Sequence, residues 1–264
     1  MRVLLVHPPV CDPTMPPVAL PLLAAVLRRE GIDVSLVDAN LEALDWLLES
    51  PRLGELEARV RRRFQRLEAL RGLSHPQRLA WLALHDGLAA AASLRDRGPG
   101  RRGGVPAMTV EDAKVLLRGQ REGFYEPARY GAAADTLEAA LRLVSAAHAP
   151  LELDLRSWRT PFAFLAPGEV KADAAPERNP FHPWLDGVLC PRVEAARVGL
   201  VGISVVFPGQ LQGAWSTAWA LRRRFPSLVL VAGGPALTQR LIHLPRDIAL
   251  RMLEPFDAAV LGEG

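Results

Sequence analysis

Short β-branched apolar runs near both ends of the chain alternate with stretches of helical spacing, and the long middle is helical in its spacing almost throughout. Residues 2–6, Arg2-Val3-Leu4-Leu5-Val6, read as a buried parallel strand. The prolines from Pro8-Pro9 to Pro16-Pro17 predict a rigid loop, because each one fixes φ and removes a donor. Leu20, Leu23, Ala24 and Leu27 then fall on one face of a helix reaching Arg29. Gly31 stands where a left-handed helix cap is wanted. Ile32 to Val37 predicts a second strand, ended by Asp38 and Asn40. This is the start of a βαβ unit with a right-handed crossover.

The same alternation resumes near Val198. Strands are expected over Val198–Val206, Leu228–Val231 and Ala258–Leu261. Helices are expected over Gly209–Phe225 and over Leu237–Leu253, the latter interrupted at Pro245. Joined, the two ends give a flavodoxin-like (Rossmann-like) doubly wound α/β fold with a five-stranded parallel sheet, assigned to 1–50 and 197–264. A large, mainly helical insertion occupies 51–196. Its helices are expected over Leu53–Leu70, Gln77–Leu94, Val110–Arg118 and Ala132–Ala147. The run Gly98-Pro99-Gly100-Arg101-Arg102-Gly103-Gly104 breaks the helical pattern, Leu151–Leu155 reads as an edge strand, and Pro161–Pro183 reads as irregular. An insertion of this size serves to shape a pocket or a partner surface.

Composition changes this picture little. The chain has 264 residues, 49% of them hydrophobic and 23% charged, and a net charge of +3, which excludes disorder and gives no reason to invoke nucleic acid. The arginine runs 61–63 and 222–224 sit in helical patterns and read as solvated faces. Trp215 and Trp219, four apart on one helix, read as a packing stripe. With two cysteines, Cys11 and Cys190, there is neither a disulfide framework nor a metal cage, which fits a reducing cytoplasm. No run approaches the roughly 18 apolar residues of a membrane span, and the N-terminal run is shorter than a secretory h-region. His75, His85, His148, His182 and His243 show no metal spacing.

In an open parallel sheet, ligands bind outside the carboxyl ends of the strands. Four loops of this chain converge there: His7-Pro8-Pro9-Val10, Ser204-Val205-Val206-Phe207-Pro208-Gly209-Gln210, Gly233-Gly234-Pro235 and Gly262-Glu263-Gly264. They are rich in backbone and nearly free of acid–base groups. Glycine admits close approach of main chain to a ligand, and proline pre-sets loop shape, so the set suits holding a large, flat or extended ligand. Ser204 is placed either to meet that ligand or to cap the following helix. No Gly-x-Gly-x-x-Gly follows the first strand, and there is neither a Gly-x-Ser-x-Gly elbow nor a Walker lysine.

Taken in order, Val3-Leu4-Leu5-Val6-His7-Pro8-Pro9, the helix from Pro17 to Arg28, Gly31-Ile32-Asp33-Val34, Val201-Gly202-Ile203-Ser204, Val231-Ala232-Gly233-Gly234-Pro235 and Phe256 to Gly264 resemble the N-terminal cobalamin (B12)-binding domain of B12-dependent radical SAM enzymes. The resemblance spans both ends of the chain and touches the insertion weakly. It implies cobalamin across the carboxyl edge of the sheet, with its nucleotide tail running down between strands. Ser204 matches a serine that contacts the tail, and Gly233-Gly234 a pair that leaves room for it. The Pro8-Pro9 loop with Val10 would sit under the corrin ring, Phe207, Pro208 and Gln210 along its edge or lower face with Val205 and Val206 beside them, and Pro235, Gly262 and Glu263 at the remaining loops.

The first loop lacks the Asp-x-His-x-x-Gly motif of corrinoid domains whose histidine ligates cobalt, so cobalamin without a protein histidine ligand is expected, and Cys11 reads as a loop cysteine. Cys-x-x-x-Cys-x-x-Cys is also lacking, so this chain cannot hold the radical SAM 4Fe-4S cluster. The resemblance places that cluster, S-adenosylmethionine and the catalytic barrel in a domain beyond Gly264 or in a separate chain. The implied activity is methyl transfer to an unreactive carbon or phosphorus centre. The other reading is a free-standing corrinoid carrier or sensor, and a third is a flavodoxin-like enzyme binding another nucleotide.

Overall fold

A computed structural model describes residues 2–15, 17–96, 101–102, 105–106, 108–119, 122–161 and 166–262. Five strands form one parallel sheet: β1 (Arg2–His7), β2 (Asp33–Asp38), β3 (Val198–Ser204), β4 (Val229–Gly233) and β5 (Ala258–Val260), in the order β2-β1-β3-β4-β5. This is the doubly wound, flavodoxin-like order that the alternation of strands and helices predicts. Each strand lies within two or three residues of its expected place.

The helices of this part are α1 (Ala19–Arg29), α7 (Pro167–Asp173), α8 (His182–Trp184), α9 (Cys190–Ala195), α10 (Leu211–Arg224), α11 (Pro235–Leu241) and α12 (Arg246–Met252). A π-helical turn, Leu185–Leu189, joins α8 to α9. Gly31 takes φ +74° just past α1, the left-handed cap its position predicts. Pro245 separates α11 from α12, as expected of a residue without an N–H.

The chain divides into two compact units, 1–44 with 156–264, and 45–155. Residues 156–196 thus belong with the sheet and not with the insertion. Pro161–Pro183 is also less irregular than its proline content predicts, because Pro167 and Pro183 open helices α7 and α8, where proline's missing N–H has no partner to lose. Glu152–Leu153 is a two-residue strand outside the main sheet, where a five-residue edge strand is expected.

The second unit is helical. It contains α3 (Ser50–Glu68), α4 (His75–Arg95), α5 (Val110–Arg118) and α6 (Pro127–Ala147), with α2 (Ala39–Leu47) running across the boundary. A Cβ on Gly87 of α4 would overlap that of Ala146 on α6, so the two backbones meet there at closest approach. Thr109 caps α5 by accepting a 3.1 Å bond from the Asp112 amide. Most of the glycine-rich stretch 98–104 lies outside the described residues; Arg101–Arg102 pairs antiparallel with Val105–Pro106. No helix among the described residues is long and apolar enough to cross a membrane.

In the first unit the two faces of the sheet differ. Pairing register puts Leu4, Val6, Val201, Ile203, Leu230 and Ala232 on one face, and all are buried. The other face carries Val3, Leu5 and Val34, which pack under Leu20 and Ala24 of α1. On that same face lie Leu200, Gly202 and Ser204 of β3, Val229, Val231 and Gly233 of β4, and Ala258 and Val260 of β5. None of these is fully buried; Val229 is 38% exposed and Val260 46%. Leu200 packs against the same cluster, so α1 covers the sheet over β1, β2 and the start of β3 and leaves it open over β4 and β5.

Candidate functional site

The loops at the carboxyl edge separate into a buried group and an open group. Pro8, Pro9, Val10 and Cys11 are all buried. The Val10 amide donates to the Gly209 carbonyl at 3.3 Å. Asn40, at the start of α2, clamps Cys11 from both sides: its Oδ1 accepts from the Cys11 amide and its Nδ2 donates to the Cys11 carbonyl, each at 3.0 Å.

Gln210 ties the first loop to the third strand's loop. Its side chain is 0% exposed. Oε1 accepts from the Val206 amide at 2.9 Å and from the Phe207 amide at 3.0 Å. Nε2 donates to the Pro8 carbonyl at 2.7 Å and lies 3.2 Å from His7 Nε2. The paired backbone donors fix which end of the amide is oxygen. Gln210 therefore does not line an open edge, and Pro8, Pro9 and Val10 face inward as well; these residues set the loops' shape. In sequence, glutamine three residues after the start of the Phe207 turn is the one signal of this role, since a glutamine there can reach back to cap the turn's amides.

His7 and Cys11 stand in a pair that resembles a catalytic dyad, with Nε2 and Sγ 3.2 Å apart. Burial decides against that chemistry. It pushes the Cys11 thiol up to about 12, with Asp38 and Asp12 acting in the same direction. It also holds the His7 imidazole below its ordinary value, against the pull of Asp38. Both groups are neutral near pH 7, and a neutral thiol is neither a nucleophile nor a good metal ligand. Cys190 is likewise buried, and burial pushes its thiol up to about 11. No cluster of three or more histidine, cysteine or acidic side chains among the described residues is arranged to hold a metal ion.

These shifts set a pH window for stability. The folded chain resists protonating His7, and His182 too, which burial also holds low. The unfolded chain takes up those protons as pH falls below about 6.5, so stability is lost on the acid side. The folded chain also resists deprotonating Cys11 and Cys190, so stability is lost as pH climbs above about 9. Denaturant midpoints measured from pH 5 to 10.5 should therefore show a plateau between those limits. Neither cysteine should react with a thiol reagent at pH 8 until the chain unfolds. A midpoint still rising toward pH 5 would contradict this assignment.

The open group is Ser204, Val206, Phe207, Gly233, Gly234, Pro235 and Gly262. Val205 lies behind them, fully buried, its amide donating 2.7 Å to the Gly233 carbonyl and its carbonyl accepting 3.2 Å from Ala236. Gly234 has φ +119°, and a Cβ there would stand 2.8 Å from the Val205 carbonyl carbon, so glycine is required by both conformation and space. Pro235 opens α11. The Gly262 amide donates 3.0 Å to Thr238 Oγ1, which fixes the end of β5 against α11. Glu263 and Gly264 lie outside the described residues.

Ser204 does not cap the following helical turn, since Gln210 takes that part. Its hydroxyl instead continues a strip along the open face. Ser204 and Gly233 are partners there and form the strip, while Leu5 Cδ2 fills the space over the neighbouring Gly202, 2.8 Å from where a Cβ would stand. A Cβ added at Gly233 would come no nearer than 3.5 Å to another atom, so space for a side chain exists and is left empty. Phe207 and Pro208, in the loop that follows Ser204, are exposed. The arrangement offers backbone, one hydroxyl and apolar surface, which is equipment for binding. The chain matches no protein-family model, no curated protein and no solved structure.

Proposed function

We propose that this chain binds cobalamin, or a corrinoid closely like it, across the carboxyl edge of its sheet, as the cofactor-holding module of a methyltransferase whose radical SAM domain supplies the catalytic cluster. The strip of Ser204 and Gly233, with unfilled space over the glycine, carries this reading. A long ligand with a flat heterocyclic tail needs a floor free of projecting side chains, apolar flanks and a polar atom at its head. The strip supplies the floor, Val229, Val231 and Val260 the flanks, and Ser204 the hydroxyl.

The residues present fit such a group at its tail. Ser204, Gly233 and Gly234 would hold the tail, and Phe207, Pro208 and Pro235 would stand nearest the ring. The buried loop of Pro8, Pro9 and Val10 holds Phe207 in place through Gln210 and offers the ring no side chain of its own. His7 is committed to Gln210 and Cys11, consistent with a cofactor that takes no histidine from this chain. When bound, cobalamin supplies a cobalt centre able to carry a methyl group. The chain's own residues would exclude water from its tail.

The folded chain, mixed with hydroxocobalamin and desalted, should retain corrinoid near one equivalent, visible in the absorption spectrum. A folded chain that emerges colourless overturns the reading.

A further inference from the structure

α10 connects the parallel strands β3 and β4, so it starts at the carboxyl edge of the sheet and ends at the amino edge. Beside its last turn, against the π-helical turn and α9, lies a cavity of about 380 Å³, within the range of small-molecule sites. Asp186, Cys190 and Glu194 line one wall at four-residue spacing, with Pro191, and Ala220, Arg223 and Arg224 line the other. Cys190 and Ala220 are buried and give the cavity an apolar part. Two carboxylates against two guanidiniums leave it without net charge. The π-helical turn that carries Asp186 is a rare element, met frequently at functional sites.

The charges in this cavity are paired unequally. Arg222 is spent on Asp257 and on the carbonyls of Pro226, Leu228 and Pro255. Arg224 pairs with Glu194 at 3.3 Å. Arg223 meets no carboxylate; its one partner among the described residues is His182 Nε2, at 2.7 Å. Across the same ring, Nδ1 lies 3.2 Å from Asp186. A guanidinium only donates, so Nε2 accepts, and the proton on Nδ1 is the one given to Asp186. The His182 side chain is 12% exposed, and burial holds its pKa below the ordinary value, so the ring is neutral near pH 7. A neutral spacer thus fixes Asp186 and Arg223 in place and keeps apart two charges that a direct pair would cancel.

We infer that this cavity binds a free α-amino acid, its carboxylate on Arg223, its ammonium on Asp186 and a small side chain against Cys190, Pro191 and Ala220. The ammonium and carboxylate of an α-amino acid, each with its own hydrogen bond, span much the distance that the imidazole with its two hydrogen bonds sets between Asp186 and Arg223. A zwitterion also answers both charges without adding net charge to the site. The inference does not depend on the cofactor reading, since none of these residues belongs to the carboxyl-edge loops, and its test contains no corrinoid.

The test is a thermal-shift screen of the whole chain with free amino acids at millimolar concentration, followed by calorimetry on the best of them. At least one amino acid with a small side chain should bind saturably. Acetate and methylammonium, which carry one charge each, should bind at least ten-fold more weakly. Arg223→Gln and Asp186→Asn should each weaken binding of the amino acid at least ten-fold. Both positions are exposed, and circular dichroism confirms that the variants fold. Three results overturn the inference: no amino acid bound by the folded chain, acetate bound as tightly as the best amino acid, or binding unchanged in either variant.

Discussion

Gly213→Ala should be among the most damaging single substitutions in the chain, although alanine normally favours a helix over glycine. Gly213 lies in the first turn of α10, buried against the Pro9 peptide. A Cβ there would overlap the Pro9 carbonyl oxygen and stand 2.7 Å from its carbon. The obstacle is backbone on both sides, so neither partner can turn a side chain aside. Overpacking of this kind costs about 3 kcal/mol, and at about 2–4 °C per kcal/mol the midpoint of thermal unfolding of the sheet unit should fall by roughly 6–12 °C. Gly54→Ala is the control. Gly54 is an exposed residue of α3 with open space around it, and its replacement should stabilise the helix by about 0.5–1 kcal/mol. If both substitutions stabilise, Pro9 does not pack on α10 as described.

The second large effect is at Gln210. Gln210→Leu keeps the volume and removes every hydrogen bond the amide makes. The Pro8 carbonyl loses its 2.7 Å donor, and the Val206 and Phe207 amides lose their shared acceptor. Each buried polar group left unpaired costs about 1–3 kcal/mol, so a loss near 3 kcal/mol is expected once water reaches the less buried amides. Gln210→Glu separates hydrogen bonding from shape. It restores the acceptor, yet as a carboxylate it confronts the Pro8 carbonyl oxygen inside the protein. Burial favours its protonated form, so this variant should grow more stable as pH falls from 7 to 5. The wild-type chain should change in the opposite direction over that range, because of His7 and His182. Equal pH dependence in the two proteins would show that position 210 is not buried against Pro8.

Much of the fold is legible in the residues because the signals are local. Val3 to Val6 can be little but a buried strand, Gly31 ends α1, and Pro245 must break a helix. The order of strands then follows from the rules of parallel connection. Less visible is where residues 156–196 belong, since their proline content masks helices that proline itself begins, at Pro167 and Pro183. At the site, Ser204, Gly233 and Gly234 stand where position at a strand's carboxyl end places them. Pro8, Pro9, Val10 and Gln210 lie at the right edge but face inward. A linear pattern gives a loop's location; it does not say which of its groups the loop spends on itself. The clamp of Asn40 on Cys11 joins positions 29 apart and has no local signature. The open face over β4 and β5 emerges only when strand register is combined with the place of α1.

If the empty strip beside Ser204 holds the tail of a corrinoid, Gly233→Val should block it. Gly233 lies in a strand with ordinary backbone and unfilled space, so valine is compatible with the fold and occupies the strip. The measurement is a hydroxocobalamin titration of wild-type and variant chains, followed in the visible spectrum with circular dichroism recorded alongside. The wild-type chain should bind saturably, and a variant folded as well as its parent should bind at least ten-fold more weakly. Equal affinity in the two, or no binding by a folded wild-type chain, would contradict this assignment.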